Sequence, residues 1–322
     1  MDITPENLHI LFRSIDLRFQ DAFKTSPDPA WNQIATEIPS ASESNIYAWL
    51  ERVPRFREWS GGRIATGVGG FSQIVTNRHD ELTITIPADK IRDDQYGYYQ
   101  SITSDVARQA KMWYDTLLFG SSGPVRNGQN IPTYDGVNFF SASHPSNYYA
   151  GNAVNVNQSN YVSSGGALTA DNLTSARAAM MSYLGPDGLP LGVVPDTLLV
   201  PPALYTVGMQ LTTADTLAMQ SFGGISQVGG SSNVLKGLLK VVETPLLSGD
   251  PTAWYLLDTG ARGGLGGSIR PFIVQNRQAP VVVQKFNAQD ENVYRYNAFE
   301  WGADIRGQVS QSHWFLAYKS VA

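Results

Sequence analysis

Four histidines, His9, His79, His144 and His313, are the side chains best suited to acid–base work or to holding a transition metal, and their spacing serves neither. A metal motif legible in sequence sets ligands a few residues apart on one helix face or loop, and these lie far apart. His79-Asp80-Glu81 places three possible ligands in succession. On a strand, however, neighbours point to opposite faces, so a polar hairpin tip is the better reading. The run from Gly260 to Gly267 has the glycine content of a phosphate cradle, but no Gly-Lys-Ser/Thr follows and no G-x-G-x-x-G opens a helix; it reads as a mobile connection. Ser/His/Asp catalysis lacks a G-x-S-x-G elbow. Two carboxylates for glycoside chemistry could converge from anywhere, yet glutamate is absent between Glu81 and Glu243. Without cysteine there is no thiol nucleophile, disulfide or thiolate metal site. The search assigns no catalytic residue, no metal site and no cofactor.

What the chain offers instead is surface. Between Lys111 and Lys236 there is no lysine and no glutamate, and the only cations are Arg126 and Arg177. Ordinary exposed surface is rich in both missing types, so a long stretch of Ser, Thr, Asn, Gln, Gly and aromatics reads as surface meant to be covered by neighbours. A Ser/Gly-rich β protein that tolerates a neutral exterior is the alternative. The 322 residues, 42% hydrophobic, suffice for about two compact units by a prior of roughly 150 residues each. A net charge of −5 gives no basic field for clamping nucleic acid, so any contact with DNA is expected to be incidental. Neither an export signal nor an apolar run of bilayer length is found, and no membrane partner is expected.

The elements follow from spacing. Thr4 and Pro5 start a helix whose Leu8, Leu11, Phe12, Ile15, Phe19 and Phe23 form one apolar face, and Pro27 and Pro29 end it before an extended arm through Trp31, Ile34 and Ile38. Leu82, Ile84 and Ile86 alternate with threonines. They predict a strand paired with Phe71–Val75 across a tip at Asn77–Asp80. Asp93 and Asp94 suit a helix start, and apolar residues from Tyr99 to Leu117 predict one long helix ending near Gly120. Loop and short strand follow to Gly166. Thr169 caps a helix through Met180, Thr197–Val200 is a buried strand, and Pro201-Pro202 launches another helix. Ser221 to Asn233 is a flexible loop. Strands are then expected at 238–242, 254–257, 269–274, 281–285, 293–296, 299–306 and 313–318.

Several ordered groups of residues resemble the major head subunits of Mu-like tailed phages, which have the HK97-type capsid fold. They are Asn45 to Leu50 with Pro54 and Arg57 to Gly61; Asp93-Asp94-Gln95 with Gly97 and Tyr99; and Tyr134-Asp135-Gly136 with Phe139, Phe140, His144 and Pro145. Leu199 to Pro202, Trp254-Tyr255-Leu256, and Gly302 with Asp304 and Arg306 complete the set. The resemblance implies an α+β HK97-like capsid fold with an N-terminal arm (1–59), an extended E-loop hairpin (60–92), a peripheral domain with a long spine helix (93–167), an axial α/β domain (168–279) and return strands of the peripheral domain (280–322). It implies a major capsid protein that self-assembles into pentamers and hexamers of an icosahedral phage head enclosing double-stranded DNA, and a place in the virion. The partners would be other copies of itself, portal and scaffold proteins, a decoration protein, and packaged DNA held without sequence specificity.

Within that frame Arg63, Arg78, Asp80, Glu81, Asp93 and Asp94 are candidate rim charges at subunit interfaces, though each also fits a solvated group worth about 0–1 kcal/mol. Ser221, Gly224, Gly229 and Asn233 mark the candidate axial loop. Because the arm helix begins by Thr4, scaffolding is expected from a separate protein. An encapsulin-like compartment, a carbohydrate-active β protein and a tail or baseplate component remain alternatives.

Some shells of this fold are welded by isopeptide bonds that need an E-loop lysine. Here none lies between Lys24 and Lys90. Mature shells should therefore dissolve to single subunits on denaturing electrophoresis, and a ladder of linked subunits would contradict this.

Overall fold

The computed structural model describes residues 4–50, 70–93, 98–145, 157–185, 188–218, 230–287 and 289–322. Thr4 caps helix α1 (Pro5–Thr25), its hydroxyl accepting from the Asn7 N–H at 3.2 Å, and Leu8, Phe12, Ile15 and Phe19 bury the expected face. Trp31–Ile34, expected as extended arm, forms one helical turn, α2. The buried Asp115 carboxylate makes that turn possible by accepting the Ala30 and Trp31 N–H groups at 2.9 and 2.8 Å. Strands β1 (Ala35–Pro39), β2 (Ser44–Leu50), β3 (Gly70–Thr76) and β4 (Arg78–Pro87) follow.

Here the expected hairpin is corrected. Strand β3 pairs antiparallel with β2, placing Ile46 opposite Ile74, and does not pair with β4. Arg78, His79 and Asp80, read as a turn, are themselves strand, so only Asn77 separates β3 from β4 and no reversal fits between them. The long helix is divided too. Helices α3 (Ala88–Asp93), α4 (Tyr98–Lys111) and α5 (Trp113–Phe119) replace it, with Asp93 at the end of α3 instead of at a helix start. Met112, at φ −88° and ψ 4°, interrupts the run, although hydrogen bonds continue across it. Gly120 ends α5 as expected.

Helix α6 (Pro124–Asn127) and short strands β5 (His144–Pro145), β6 (Asn157–Gln158) and β7 (Tyr161–Val162) lead to α7 (Ala170–Met181), capped by Thr169, then β8 (Thr197–Val200) and α8 (Pro202–Thr213). Next come β9 (Thr216–Ala218), β10 (Gly230–Ser232), β11 (Lys240–Glu243), β12 (Ala253–Leu257), β13 (Phe272–Lys285), α9 (Glu291–Tyr296), β14 (Ala298–Gln311) and β15 (Ala317–Val321). Two expected strands, 269–274 and 281–285, are one strand, β13, whose register shifts between Asn276 and Val281 hide its continuity. Residues 293–296 are helix, not strand, because they lie in the turn joining β13 to β14, where Asn297 closes α9 in the left-handed region at φ 48°. Residues 314–316 form a tight helical turn before β15.

Two main sheets result. One has the order β1-β13-β14-β4 and the other β11-β8-β12-β15-β7. The boundary expected at 279/280 therefore falls inside β13, and β15 leaves the first sheet for the second, pairing with β12. One core surrounds the five-stranded sheet and the first half of β13, with Trp254, Tyr255 and Phe272 fully buried. The other sits under α1, where Phe12, Ile15 and Phe19 meet Ile86, Phe299 and Trp301. The apolar face of α1 thus finds its partner within its own chain.

The first core also holds charge. Lys319 donates to the Arg126 carbonyl at 2.7 Å and to Gln129 Oε1 at 2.9 Å, with its ammonium 5.6–5.9 Å from the ring centres of Phe140, Tyr161 and Tyr255. Burial lowers its pKa from 10.5 to about 8. Between those values the unfolded chain holds a proton that the folded chain has released, so this group makes stability rise with pH across that window. Denaturant titrations of free subunits from pH 8 to 10 should show the rise, with a slope of at most about 1.4 kcal/mol per pH unit. In Lys319→Met the slope should vanish.

Candidate assembly interface

The β2–β3 ribbon has two unlike faces. Asn45, Tyr47, Gln73 and Val75 turn toward the β13–β14 sheet. Tyr47 donates to Gln275 Oε1 at 2.7 Å, Gln73 donates to Ser310 Oγ at 2.9 Å, and Val75 is buried. On the opposite face Ile46, Ala48, Ser72, Ile74 and Thr76 are exposed and Ser44 is half-buried, and the directly opposed Ile46 and Ile74 are 67% and 65% open. An aliphatic pair held so rigidly in water marks a contact surface. Sequence reasoning missed both residues, although the alternation Asn45-Ile46-Tyr47-Ala48 already assigned Ile46 to the face opposite Tyr47. Which face would be covered needed the Tyr47–Gln275 contact, 228 residues away in sequence.

Of the candidate rim charges, Arg78, Asp80 and Glu81 lie together on β4, the outer strand of its sheet. Arg78 pairs with Asp80 at 2.8 Å, and Asp80 also accepts the Trp113 indole N–H at 2.8 Å. Glu81 accepts from Thr83, and Asp93 is exposed at the end of α3. Arg63 and Asp94 lie outside the described residues. So do Ser221, Gly224 and Gly229 of the candidate axial loop, whose ends are held by the β9–β10 ribbon. Asn233 is not an exposed loop group. It is buried, donating to the Leu211 and Ala214 carbonyls at 3.0 and 2.8 Å and accepting the Leu235 N–H at 2.9 Å.

The neutral stretch is emptier of surface charge than its composition indicates. Asp115, Asp135 and Asp196 are all buried, and Asp171 and Asp215 are the exposed charged residues among those described between 112 and 235. Asp135 holds His144 at 2.6 Å. That ring stacks 4.1 Å from Trp314 and approaches Asn160 Oδ1 at 3.2 Å. Asn160 in turn donates to the Phe139, Trp314 and Ala317 carbonyls. Arg126 spends its charge on Asp250 at 2.9 Å.

Residues 260–267, expected as a mobile connection, are tied to the fold at particular points, although Ala261, Arg262, Gly263, Leu265 and Gly267 are exposed. Asp258 accepts the Val194 and Gly260 N–H groups at 2.9 Å, and a β-carbon at Gly264 would lie 2.2 Å from its carboxylate, which only glycine avoids. Burial raises the Asp258 pKa. No group of three or more potential metal ligands occurs among the described residues.

A long ladder carrying two cores, a ribbon with one bare aliphatic face and a middle stretch with little exposed charge describe a subunit built to be covered. The family of Mu-like prophage major head subunits (gpT) matches residues 8–167, 157–247 and 246–322. The chain belongs to that family. It is a major capsid protein of a tailed-phage head, a virion component of a structural, non-enzymatic family. The FluMu major head subunit of Haemophilus influenzae is 24% identical over 317 residues, covering 98% of this chain and 74% of that protein. The major capsid protein of Escherichia phage Mu is 23% identical over the same shares. Among solved structures, the procapsid subunit of bacteriophage JBD30 matches 99% of this head subunit and 76% of its own chain, with 26% identity and a TM-score of 0.56. A chain from the JBD30 capsid decorated with minor capsid protein trimers matches with a TM-score of 0.54 at 22% identity, over 77% of this chain and all of that one. The α+β fold of this head subunit is that of HK97-like capsid proteins.

Substitutions at β4 separate the roles of its charges. Arg78→Ala removes a half-exposed ion pair and should lower subunit stability by under about 1 kcal/mol. Asp80→Ala also strips Trp113 of its acceptor and should cost about 1–2 kcal/mol, as read by denaturant titration.

Proposed function

We propose that this head subunit closes into pentamers and hexamers of an icosahedral shell around double-stranded DNA, held by noncovalent overlap between neighbours. The observation carrying this reading is the bare Ile46–Ile74 face on a ribbon anchored by its other side. In this reading the E-loop is the β2–β3 ribbon with its connection 51–69, in place of a hairpin over 60–92. The peripheral domain comprises strands β13, β14 and β4 with α4 and α5, the arm lying against them through α1 and β1, and the axial domain comprises the five-stranded sheet with α7 and α8. In this reading the β9–β10 ribbon carries the axial loop, and the arm comprises α1, α2 and β1.

Each copy presents one patch and receives another, the heterologous geometry that closes rings. Many modest contacts then sum to a durable shell while any single contact stays reversible. A net charge of −5 suits a lining that confines DNA without gripping it by sequence. Portal and scaffold proteins would supply the entry vertex and the assembly template. The decorated JBD30 capsid supports a decoration protein as a further partner, because an unwelded shell gains strength from an added layer. No helix among the described residues is long and apolar enough to cross a membrane.

Replacing both Ile46 and Ile74 by aspartate puts charge into the overlap while leaving the anchored face intact. The double variant should keep the far-UV circular dichroism and melting of free wild-type subunits but yield few or no closed particles by negative-stain microscopy. Normal shells of unchanged stability would overturn the E-loop assignment.

A further inference from the structure

The turn between β13 and β14 carries a feature that subunit folding leaves unused. Helix α9 is fixed from within: Asn292 is buried, donating to the Ala298 carbonyl at 3.2 Å, and the Asn297 carbonyl accepts the Ala88 N–H at 2.9 Å. From this fixed turn Tyr294 and Tyr296 project into solvent, 87% and 73% exposed, the two most open aromatic rings among the large exposed hydrophobic side chains described. A tyrosine held out by rigid backbone costs little further entropy on binding and carries both an apolar ring and a hydroxyl.

Beside α9 lies a pocket of about 200 Å³, walled by Leu8, Phe286, Val293 and Phe299 and rimmed by His9 and Arg92. Phe286 is braced by stacking on Phe12 at 4.5 Å and by the His9 ring at 4.9 Å, so the walls are set by the second core. A cavity of roughly 150 Å³ with aliphatic and aromatic walls takes up benzene, so this one has room for a phenol ring. The pocket's own α9 contributes Val293, whereas Tyr294 points outward on the same helix, so a subunit does not fill its own pocket with that ring.

We propose that Tyr294 of one copy seats in the Leu8–Phe286–Val293–Phe299 pocket of a second copy, linking the β13–β14 tips of neighbouring subunits. The occupant is another copy because this is a self-assembling capsid chain and because the two parts match in size and chemistry, a projecting phenol ring against a pocket of about 200 Å³ with apolar walls; Glu291 beside Tyr294 and Arg92 at the rim are already paired within the chain, with Arg295 and Asp89 at 3.2 Å. Knob and socket on the same tip make a head-to-tail contact that closes into a ring. The inference rests on the capsid reading and adds to it a contact separate from the β2–β3 ribbon.

The chain's lack of cysteine supplies the test. Tyr294→Cys and His9→Cys subunits, both altered at exposed positions, are assembled each alone and co-assembled as a mixture, then oxidised as closed particles and as free subunits. Disulfide-linked dimers should appear on non-reducing gels only in mixed particles. Their absence from well-formed mixed particles would overturn the proposal, as would dimers in Tyr294→Cys particles alone, which would mean that tips meet knob to knob. In a second arm Tyr294→Ala shells should open several degrees below wild-type shells while free subunits melt unchanged, with Tyr294→Phe close to wild type. Equal opening temperatures for Tyr294→Ala and wild type, or a difference seen only when a decoration protein is bound, would overturn it. Failure of wild-type subunits to form particles would instead remove the capsid reading itself.

Discussion

The antiparallel ladder between β13 and β14 is the constraint on which the rest of the molecule depends. Each strand has fourteen residues, so the ladder runs about 45 Å and contributes to both cores. Phe272, Ile273 and Val274 at one end belong to the core of the five-stranded sheet, and Phe299, Trp301 and Ala303 near the other end form the floor beneath α1. The register shifts between Asn276 and Val281 lie between these regions and let one strand serve two differently twisted surroundings. Neither core is free to move without the other, a useful property in a subunit that must pass load from neighbour to neighbour.

Around this ladder the chain uses polar groups for internal bracing. Asp115 caps α2 from across the fold, Asn160 gathers three carbonyls, Asp258 and Asp196 fasten the backbone of residues 258–261, and Lys319 sits among three rings. A buried polar group left without partners costs on the order of 1–3 kcal/mol, and these groups are partnered. Between residues 112 and 235, charge drawn inward in this way leaves Asp171 and Asp215 as the exposed charged residues among those described, set among hydroxyls and amides. With few charges to desolvate, that stretch is suited to being covered by further copies.

The bare apolar side chains fall at structurally stiff places. Ile46 and Ile74 face each other on a ribbon whose reverse side is hydrogen-bonded to β13 and β14, and Tyr294 stands on a helix pinned by Asn292. Stiff presentation matters because many weak contacts add usefully only when each is already in position before the neighbours meet. Both surfaces hang from the same ladder, so their relative placement is set by one element.

Local signals in the sequence determined much. The Thr4-Pro5 start and apolar face of α1, the Thr169 cap of α7, the buried β8, the launch of α8 at Pro202, the end of α5 at Gly120 and the neutral middle region are all properties of a few adjacent residues, and motifs spread along the chain were enough to indicate a Mu-like head subunit. What only the tertiary structure decided was partnership. Strand β4 prefers β14 to β3 because Ile84 and Ile86 bury against Trp301 and Phe299, more than 200 residues away, and 293–296 is helical because the ladder ends on either side of it. Asn233 is buried because the Leu211 and Ala214 carbonyls take its amide, and Ala261 is fastened by Asp196, 65 residues away in sequence. Periodicity shows that a segment has two faces; which face is covered, and by what, depends on long-range burial that no local spacing encodes.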